Sequence, residues 1–359
     1  MKIVFDCRYT RFDRHDGISR YTASLVEAFA RLHPVTMLIS DHRQLDLLPD
    51  LPWQLVASPT SARDPFVARQ VNRLKPDVVY TPMQTMGSWG RRYAFVLTVH
   101  DLIYYTNRTP PRNLPLAIRG LWRLYHLAWW PQRLLLNRAD AVATVSHTTA
   151  ELIARHSLTH RPVTVIPNAA PPLPGEDVPV RARPQQRSLV YMGSFMPYKN
   201  VEALVRAVAL VPGTRLHLMS GVSDADRRRL TALAPQADLV FHDGATDAEY
   251  ADILRHATAL VSTSLDEGFG IPLVEAMSVG TPIVVSDIPI FREIGGAAAL
   301  YVDPKDPKAI AAGILSLDAP GDWERRSLAG RTEAARFTWE GSARKLLALL
   351  EQTVAARRR

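Results

Sequence analysis

Ala259-Leu260-Val261-Ser262-Thr263-Ser264, then Glu267-Gly268-Phe269-Gly270-Ile271-Pro272-Leu273-Val274-Glu275, then Ala276-Met277-Ser278-Val279-Gly280, read as a buried strand, a tight loop and a short helix closed by a glycine. A glycine-bearing turn between a strand and a helix is where α/β proteins hold phosphorylated ligands, because the helix N-terminus points its N–H groups there. Pro272 suits the first helical turn, where a missing N–H costs nothing. Gly268 and Gly270 are expected to take positive φ and let the backbone approach a ligand. The N–H groups from Phe269 to Leu273 then form an anion site. Glu267, in the loop, can accept hydrogen bonds from sugar hydroxyls. Glu275, expected in the first turn, can accept two from a ribose diol, although the helix dipole alone favours a glutamate there by about 0.3–1 kcal/mol. The combination of a phosphate site with acids that accept from hydroxyl groups points to a nucleotide sugar.

A second constellation, Gly193-Ser194-Phe195-Met196-Pro197-Tyr198-Lys199-Asn200, follows a strand expected over 188–192. Lys199 is expected to open the next helix, where the dipole repels a cation. An anion shared by the lysine and the helix N-terminus removes that conflict, and a diphosphate is such an anion. A solvated surface lysine is the plainer alternative. The spacing is not a Walker motif, and no G-x-G-x-x-G follows a strand, which argues against a P-loop enzyme and a nicotinamide dehydrogenase.

Outward from these stretches, short apolar strands alternate with amphipathic helices. Strands are expected near 2–6, 35–40, 53–56, 78–80, 95–99, 141–145 and 163–166, with helices near 18–32, 64–74, 115–137 and 148–156. Runs such as Phe95-Val96-Leu97-Thr98-Val99 are continuously apolar, as in a parallel sheet covered on both faces. A proline-rich stretch from Pro167 to Gly175 and a basic stretch to Arg187 read as a linker over 171–187. The alternation then restarts, with strands at 188–192, 215–219, 239–241, 259–264 and 283–286 and helices at 200–210, 224–233, 247–256 and 272–279. The fold class is therefore α/β, with two doubly wound parallel sheets: one domain over 1–170, a second over 188–339, and a closing helix over about 340–359. Two such halves imply a cleft suited to a two-substrate enzyme.

Composition narrows the classes. The chain has 359 residues, 47% hydrophobic and 22% charged, ordinary for a globular enzyme. A single cysteine, Cys7, allows no disulfide framework within the chain and fits a reducing compartment. No signal peptide or spanning segment is legible, so the expected location is the cytoplasm or the inner face of a membrane. The net charge of +8 is carried mostly by arginine, since only six of 43 basic residues are lysine. These residues are scattered, which speaks against nucleic acid as a partner.

The second half, with Gly193…Lys199-Asn200, Met219-Ser220-Gly221, Phe241-His242-Asp243-Gly244, the Glu267–Glu275 stretch, Gly280-Thr281-Pro282-Ile283-Val284-Val285-Ser286, Glu293-Ile294-Gly295-Gly296 and Phe337-Thr338-Trp339-Glu340, resembles the family-four retaining glycosyltransferases of GT-B fold. The first half resembles them more thinly, through Asp16-Gly17-Ile18-Ser19-Arg20-Tyr21, His100-Asp101, Val145-Ser146 and Val165-Ile166-Pro167-Asn168. The resemblance implies two Rossmann-like domains and a C-terminal helix returning to the first. It implies Glu275 on the donor ribose, and Glu267 on the transferred sugar with the backbone of Phe269, Gly270 and Ile271 beside it. It implies Lys199 on the diphosphate, residues 239–244 near the base, and His100 near the anomeric centre. Gly17, Ser194, Gly221 and Leu273 complete the donor-binding set. Ser194 stands where many members carry a basic residue, and Asp16-Gly17 where many have Gly-Gly.

The implied reaction moves a hexose, with retention, from a nucleoside diphosphate to a hydroxyl of a glycan or lipid-linked acceptor in cell-envelope synthesis. It needs no metal and no further cofactor. GDP-mannose is the expected donor because such members are common, with UDP-glucose and UDP-N-acetylglucosamine as alternatives. A GT-B sugar-nucleotide epimerase and a non-catalytic nucleotide-sugar-binding protein are the rival readings. Asp224-Ala225-Asp226 matches a D-x-D metal pattern but lies at a helix start and reads as a capping turn. The stretch 115–137 is expected to form one helix kinked at Pro131, mixing tryptophans with arginines. That mixture suits a membrane interface, anionic lipid included, or a polyprenyl-linked acceptor, and equally a core helix with snorkelling arginines, and these readings stand open.

Overall fold

The continuous apolar runs become two all-parallel sheets in the computed structural model, which describes residues 1–13, 15–110, 115–171, 173 and 183–358. The chain divides into unit 1, Met1–Asn168 with Thr338–Arg359, and unit 2, Ala169–Phe337. Of the stretch 171–187 expected as a linker, Pro172 and 174–182 lie outside the described residues.

Unit 1 holds β1 (Ile3–Asp6), β2 (Val35–Ile39), β3 (Trp53–Leu55), β4 (Val78–Thr81), β5 (Ala94–Val99), β6 (Ala141–Thr144) and β7 (Val163–Val165) in the order β3-β2-β1-β4-β5-β6-β7. Every residue of β1, β4, β5 and β6 is buried, which is why these strands read as unbroken apolar runs rather than as alternating ones. The C-terminal helix Trp339–Arg358 belongs to this unit. The Ser342 hydroxyl donates to the Pro167 carbonyl at 2.6 Å, and Arg358 pairs with Asp77 at 2.7 Å.

Unit 2 holds β8 (Arg187–Tyr191), β9 (Thr214–Leu218), β10 (Asp238–Phe241), β11 (Ala259–Ser262), β12 (Ile283–Ser286) and β13 (Leu300–Val302) in the order β10-β9-β8-β11-β12-β13. Its core gathers Leu189, Leu204, Leu216 and Val261 around the fully buried Trp323, whose indole N–H donates to the Thr258 carbonyl at 2.8 Å. In both units strand order reverses beside the first strand, between β1 and β4 and between β8 and β11. Outside the carboxyl ends of such strands open α/β sheets bind ligands.

Several expectations are corrected. The stretch 115–137 is two helices, Leu116–Tyr125 and Trp130–Asn137. Proline lacks the N–H and its ring clashes with the carbonyl four residues back, so the chain leaves the helix at His126 and restarts with Pro131 in a first turn. The stretch 64–74 is helical throughout but changes type, with 3-10 turns at Asp64–Phe66 and Asn72–Leu74 around the α-helix Val67–Val71. β13 and the helices Pro289–Gly295, Pro307–Ser316 and Asp322–Ala334 complete unit 2 beyond the elements expected.

Candidate active site

The two constellations singled out in the sequence follow β8 and β11, the neighbouring strands at which the order of the second sheet reverses. The loops are stitched together. Asn200, held in the left-handed conformation at φ 53°, donates from its amide to the Thr263 carbonyl at 3.2 Å and to the Pro304 carbonyl at 2.7 Å. The Thr263 hydroxyl returns a bond to the Asn200 carbonyl at 2.9 Å, and the Leu265 N–H donates to the Tyr198 carbonyl at 2.7 Å. These bonds turn the chain out of β11 at Ser262, two residues earlier than its apolar run ends.

The clasp brings Lys199 onto Glu267. The ammonium donates to Oε1, and both side chains are largely buried, at 16% and 13% exposure. The Ser264 hydroxyl donates to the same oxygen at 2.9 Å. Lys199 does not open the α-helix as expected. It ends a 3-10 turn, Pro197–Lys199, and the helix Val201–Val208 begins after Asn200. The lysine's charge is met in this structure by the Glu267 carboxylate. An arriving diphosphate would compete with that carboxylate for the ammonium.

Gly270 is the N-cap of the helix Ile271–Ser278, at φ 99°, and no side chain caps it. Its conformation favours glycine, and a Cβ there would come 3.2 Å from Cε1 of Phe291, a tight approach that the ring would have to yield to. Gly268 is not in the left-handed region, contrary to expectation. Leu273 is also corrected as an anion donor, because its N–H bonds the Gly270 carbonyl at 2.9 Å and its side chain is buried. With proline at 272 the donor set contracts to the N–H groups of Phe269, Gly270 and Ile271. The ring of Phe269 is buried edge-on against Phe337, at 5.4 Å between centroids, so it can meet a ligand only through its backbone.

Glu275 is the fifth residue of its helix and lies in the second turn, not the first. The dipole therefore does not account for it. It is 6% exposed, and the Tyr250 hydroxyl donates to its Oε2 at 3.0 Å. The other carboxyl-edge loops of unit 2 join the same framework. The Gly193 N–H donates to the Ser220 hydroxyl at 3.2 Å, and the Met219 carbonyl accepts from Gly244 and Ala245 at 3.2 and 3.1 Å. Gly221 and Ser194 are exposed beside them, and the Ser194 carbonyl accepts from the Tyr191 hydroxyl at 2.6 Å. His242 bonds Glu249 through Nδ1 and His217 through Nε2, each at 2.9 Å. Burial, then His242, lowers the pKa of His217.

Asp224 and Asp226 occupy the first turn of the helix Asp224–Leu233, where Ser223 is the cap: its oxygen accepts from the Asp226 N–H at 3.1 Å. Asp226 also pairs with Arg229 at 2.8 Å, a helix-start arrangement rather than a metal-facing one.

In unit 1, His100 follows β5 as expected. Its Nε2–H donates to the Pro82 carbonyl at 2.7 Å, and Tyr21 meets the ring edge-on at 4.8 Å. Burial lowers its pKa to about 4, against the opposing pull of that carbonyl. His100 is thus a neutral imidazole at pH 7 whose Nδ1 can only accept. Gly17 starts the helix Gly17–Ala30 behind Asp16, whose carboxylate caps Ser19 at 2.9 Å and pairs with Arg11 at 2.6 Å. A Cβ on Gly17 would meet nothing within 4 Å, so packing does not demand glycine there.

Two participants, Ser264 and Tyr250, and one structural ion pair, that of Arg8, lie outside the residues to which the sequence pattern points. Ser264 had a local signal, a hydroxyl three residues before Glu267. Tyr250 had none, being 25 residues from Glu275 in another helix. Nor did Arg8, which is buried between Asp6 and the distant Asp64 at 2.8 and 2.7 Å.

Doubly wound sheets with charged, glycine-bearing loops at a switch point define a class of α/β enzymes for phosphorylated ligands, and known proteins narrow it. The family model for glycosyl transferases group 1 matches residues 176–326, and that for glycosyltransferase family 4 matches residues 15–172. The chain belongs to this glycosyltransferase family and is a glycosyltransferase. It is 24% identical to the O-antigen chain mannosyltransferase RfbU of Salmonella typhimurium over 84% of this chain and 87% of that protein. It is 32% identical to the O-antigen chain mannosyltransferase B of Escherichia coli over 47% of this chain and 48% of that protein, about half the length of each. Sucrose-phosphate synthase from Thermosynechococcus elongatus shares the fold, with a TM-score of 0.75 at 22% identity over 99% of both chains. The fold is GT-B.

Proposed function

We propose that this glycosyltransferase moves mannose from GDP-mannose, with retention and without a metal, to a hydroxyl of a glycan or lipid-linked acceptor in envelope polysaccharide synthesis. The observation that carries the donor side is the pairing of Lys199 with Glu267 at the switch point of unit 2. The names of the two O-antigen relatives support mannose. The diphosphate takes the Lys199 ammonium and the N–H groups of Phe269, Gly270 and Ile271. Glu267, released from the lysine, accepts from hydroxyls of the transferred sugar. Glu275, oriented by Tyr250, accepts from the ribose diol. Gly17, Ser194 and Gly221 leave backbone open to the donor, and His100 contacts the sugar as a neutral acceptor or through its backbone.

Stabilising the leaving diphosphate electrostatically is the main catalytic contribution. The bond from the anomeric carbon to phosphate oxygen breaks, the acceptor oxygen attacks the same face, and its proton passes to the leaving phosphate. A thermal-shift panel of nucleotide sugars tests the donor. A ligand at 100 times its Kd adds about 2.7 kcal/mol to the folded state. GDP-mannose is expected to stabilise most, and mass spectrometry with acceptor is expected to show one added hexose. Stabilisation by UDP-glucose alone would overturn the choice of donor.

A further inference from the structure

The helices Leu116–Tyr125 and Trp130–Asn137 turn apolar side chains away from their own unit. Ile118, Leu121, Leu124, Leu127, Trp130 and Leu134 are 49%, 68%, 65%, 57%, 62% and 60% exposed. They recur every three or four residues across the break between the helices. On the inward side, Trp122 meets Tyr104 edge-on at 4.9 Å, Trp129 stacks on Tyr105 at 4.0 Å, and Gln132 and Leu136 are fully buried. The segment is thus anchored by one set of apolar groups and presents a second set outward. A core helix has no second set. Contiguous exposed apolar residues of this kind mark an interaction surface.

Charge identifies the partner. From residue 102 to residue 139 the sequence carries six arginines and no aspartate or glutamate. Arg123 and Arg133 are exposed within the leucine-bearing helices, and Arg138 follows the second. Leucine and tryptophan at the depth of the headgroups, with arginines reaching the phosphates, is the pattern of a helix lying in a bilayer interface. No described helix is long and apolar enough to cross a membrane, so the contact is peripheral.

We propose that the face formed by residues 118–134 docks this protein on an anionic lipid bilayer. The surface is read without reference to the donor, so loss of vesicle binding and loss of glycosyl transfer are separate outcomes.

The test is co-sedimentation of the full chain with phosphatidylcholine vesicles, with and without phosphatidylglycerol, at low and high salt. Binding is expected to need phosphatidylglycerol and to weaken with salt as screening grows. Arg119→Gln with Arg123→Gln is expected to weaken it by roughly tenfold or more. Leu121→Ser with Leu124→Ser is expected to weaken it comparably while leaving the melting temperature and the thermal shift by nucleotide sugar unchanged. Failure of the wild-type chain to pellet with anionic vesicles at low salt would overturn the proposal. So would equal pelleting of the leucine variant, or lipid-free sedimentation velocity showing a dimer that the leucine substitutions split, which would make a second copy the occupant.

Discussion

At the carboxyl end of β1, unit 1 carries Arg8 between Asp6 and Asp64. At the corresponding place in unit 2, beyond β8 and β11, Lys199 meets Glu267. Both are buried ion pairs at a strand-order reversal, yet they differ in what remains to be satisfied. The Arg8 side chain is wholly buried, holds two carboxylates and also donates to the Ala57 carbonyl at 2.8 Å. Burial alone would lower its pKa, but Asp6 and Asp64 together hold it above the ordinary arginine value. A rigid fork that places four N–H groups on three protein partners is a structural tie. Lys199 is a flexible point charge on one carboxylate, able to exchange that partner for a ligand. Position at the switch point is therefore not enough to mark a functional charge, and the difference lies in whether the partner can be replaced.

The largest expected effect breaks the tie in unit 1. Arg8→Ala leaves two buried carboxylates uncompensated and should cost about 3–5 kcal/mol of stability, read as a lowered denaturation midpoint. Lys199→Ala and Glu267→Ala should do the reverse. Each is expected to cut transfer by about 100-fold or more, worth roughly 2.7–4 kcal/mol in the transition state, while the circular dichroism spectrum is retained. Near wild-type turnover in either variant would refute the site.

Gly270→Ala sharpens the contrast on the backbone. A side chain at φ 99° and within 3.2 Å of Phe291 should cost about 1–3 kcal/mol and weaken donor binding along with stability. Tyr250→Phe removes one hydrogen bond to a carboxylate and should lower donor affinity by about tenfold, measured by titration calorimetry. The smallest effect at neutral pH concerns His100. Its folded pKa of about 4 lies below the ordinary 6.5, so the unfolded chain binds the extra proton first. Stability should be unaffected above pH 6.5 and should fall as pH drops from 6.5 toward 4. His100→Asn should remove that share of the slope.

What the sequence made legible follows from range. β5 and β12 are buried along their whole length and carry unbroken apolar runs, and both were found. β13 is only three residues long, at the edge of its sheet and half-exposed over two of them, and its apolar run from Ala297 to Val302 begins with three alanines, so pattern alone does not mark it as a strand. Local pattern alone cannot distinguish a helix bent at Pro131 from two helices, the second of which carries that proline in its first turn. Lys199 and Glu267 were each found from their loops. Their pairing has no local signal, because 68 residues separate them and the loops meet through the pairing of β8 with β11 and the Asn200–Thr263 and Tyr198–Leu265 bonds. The spacing points to Glu275, but a helix start at Pro272 would put it in the first turn, whereas the helix starts at Ile271 and Glu275 is its fifth residue. Tyr250, which holds it, is set by packing between helices and leaves no local trace.

The most direct test is a comparison of nucleotide affinities by titration calorimetry: GDP against GMP, for the wild-type chain and for Lys199→Ala. If Lys199 exchanges Glu267 for the diphosphate, the wild-type chain should prefer GDP by about tenfold or more, and Lys199→Ala should erase most of that preference while leaving GMP binding little changed. An undiminished preference for GDP in Lys199→Ala, or equal affinity for the two nucleotides in the wild-type chain, would contradict the assignment of the switch-point pair.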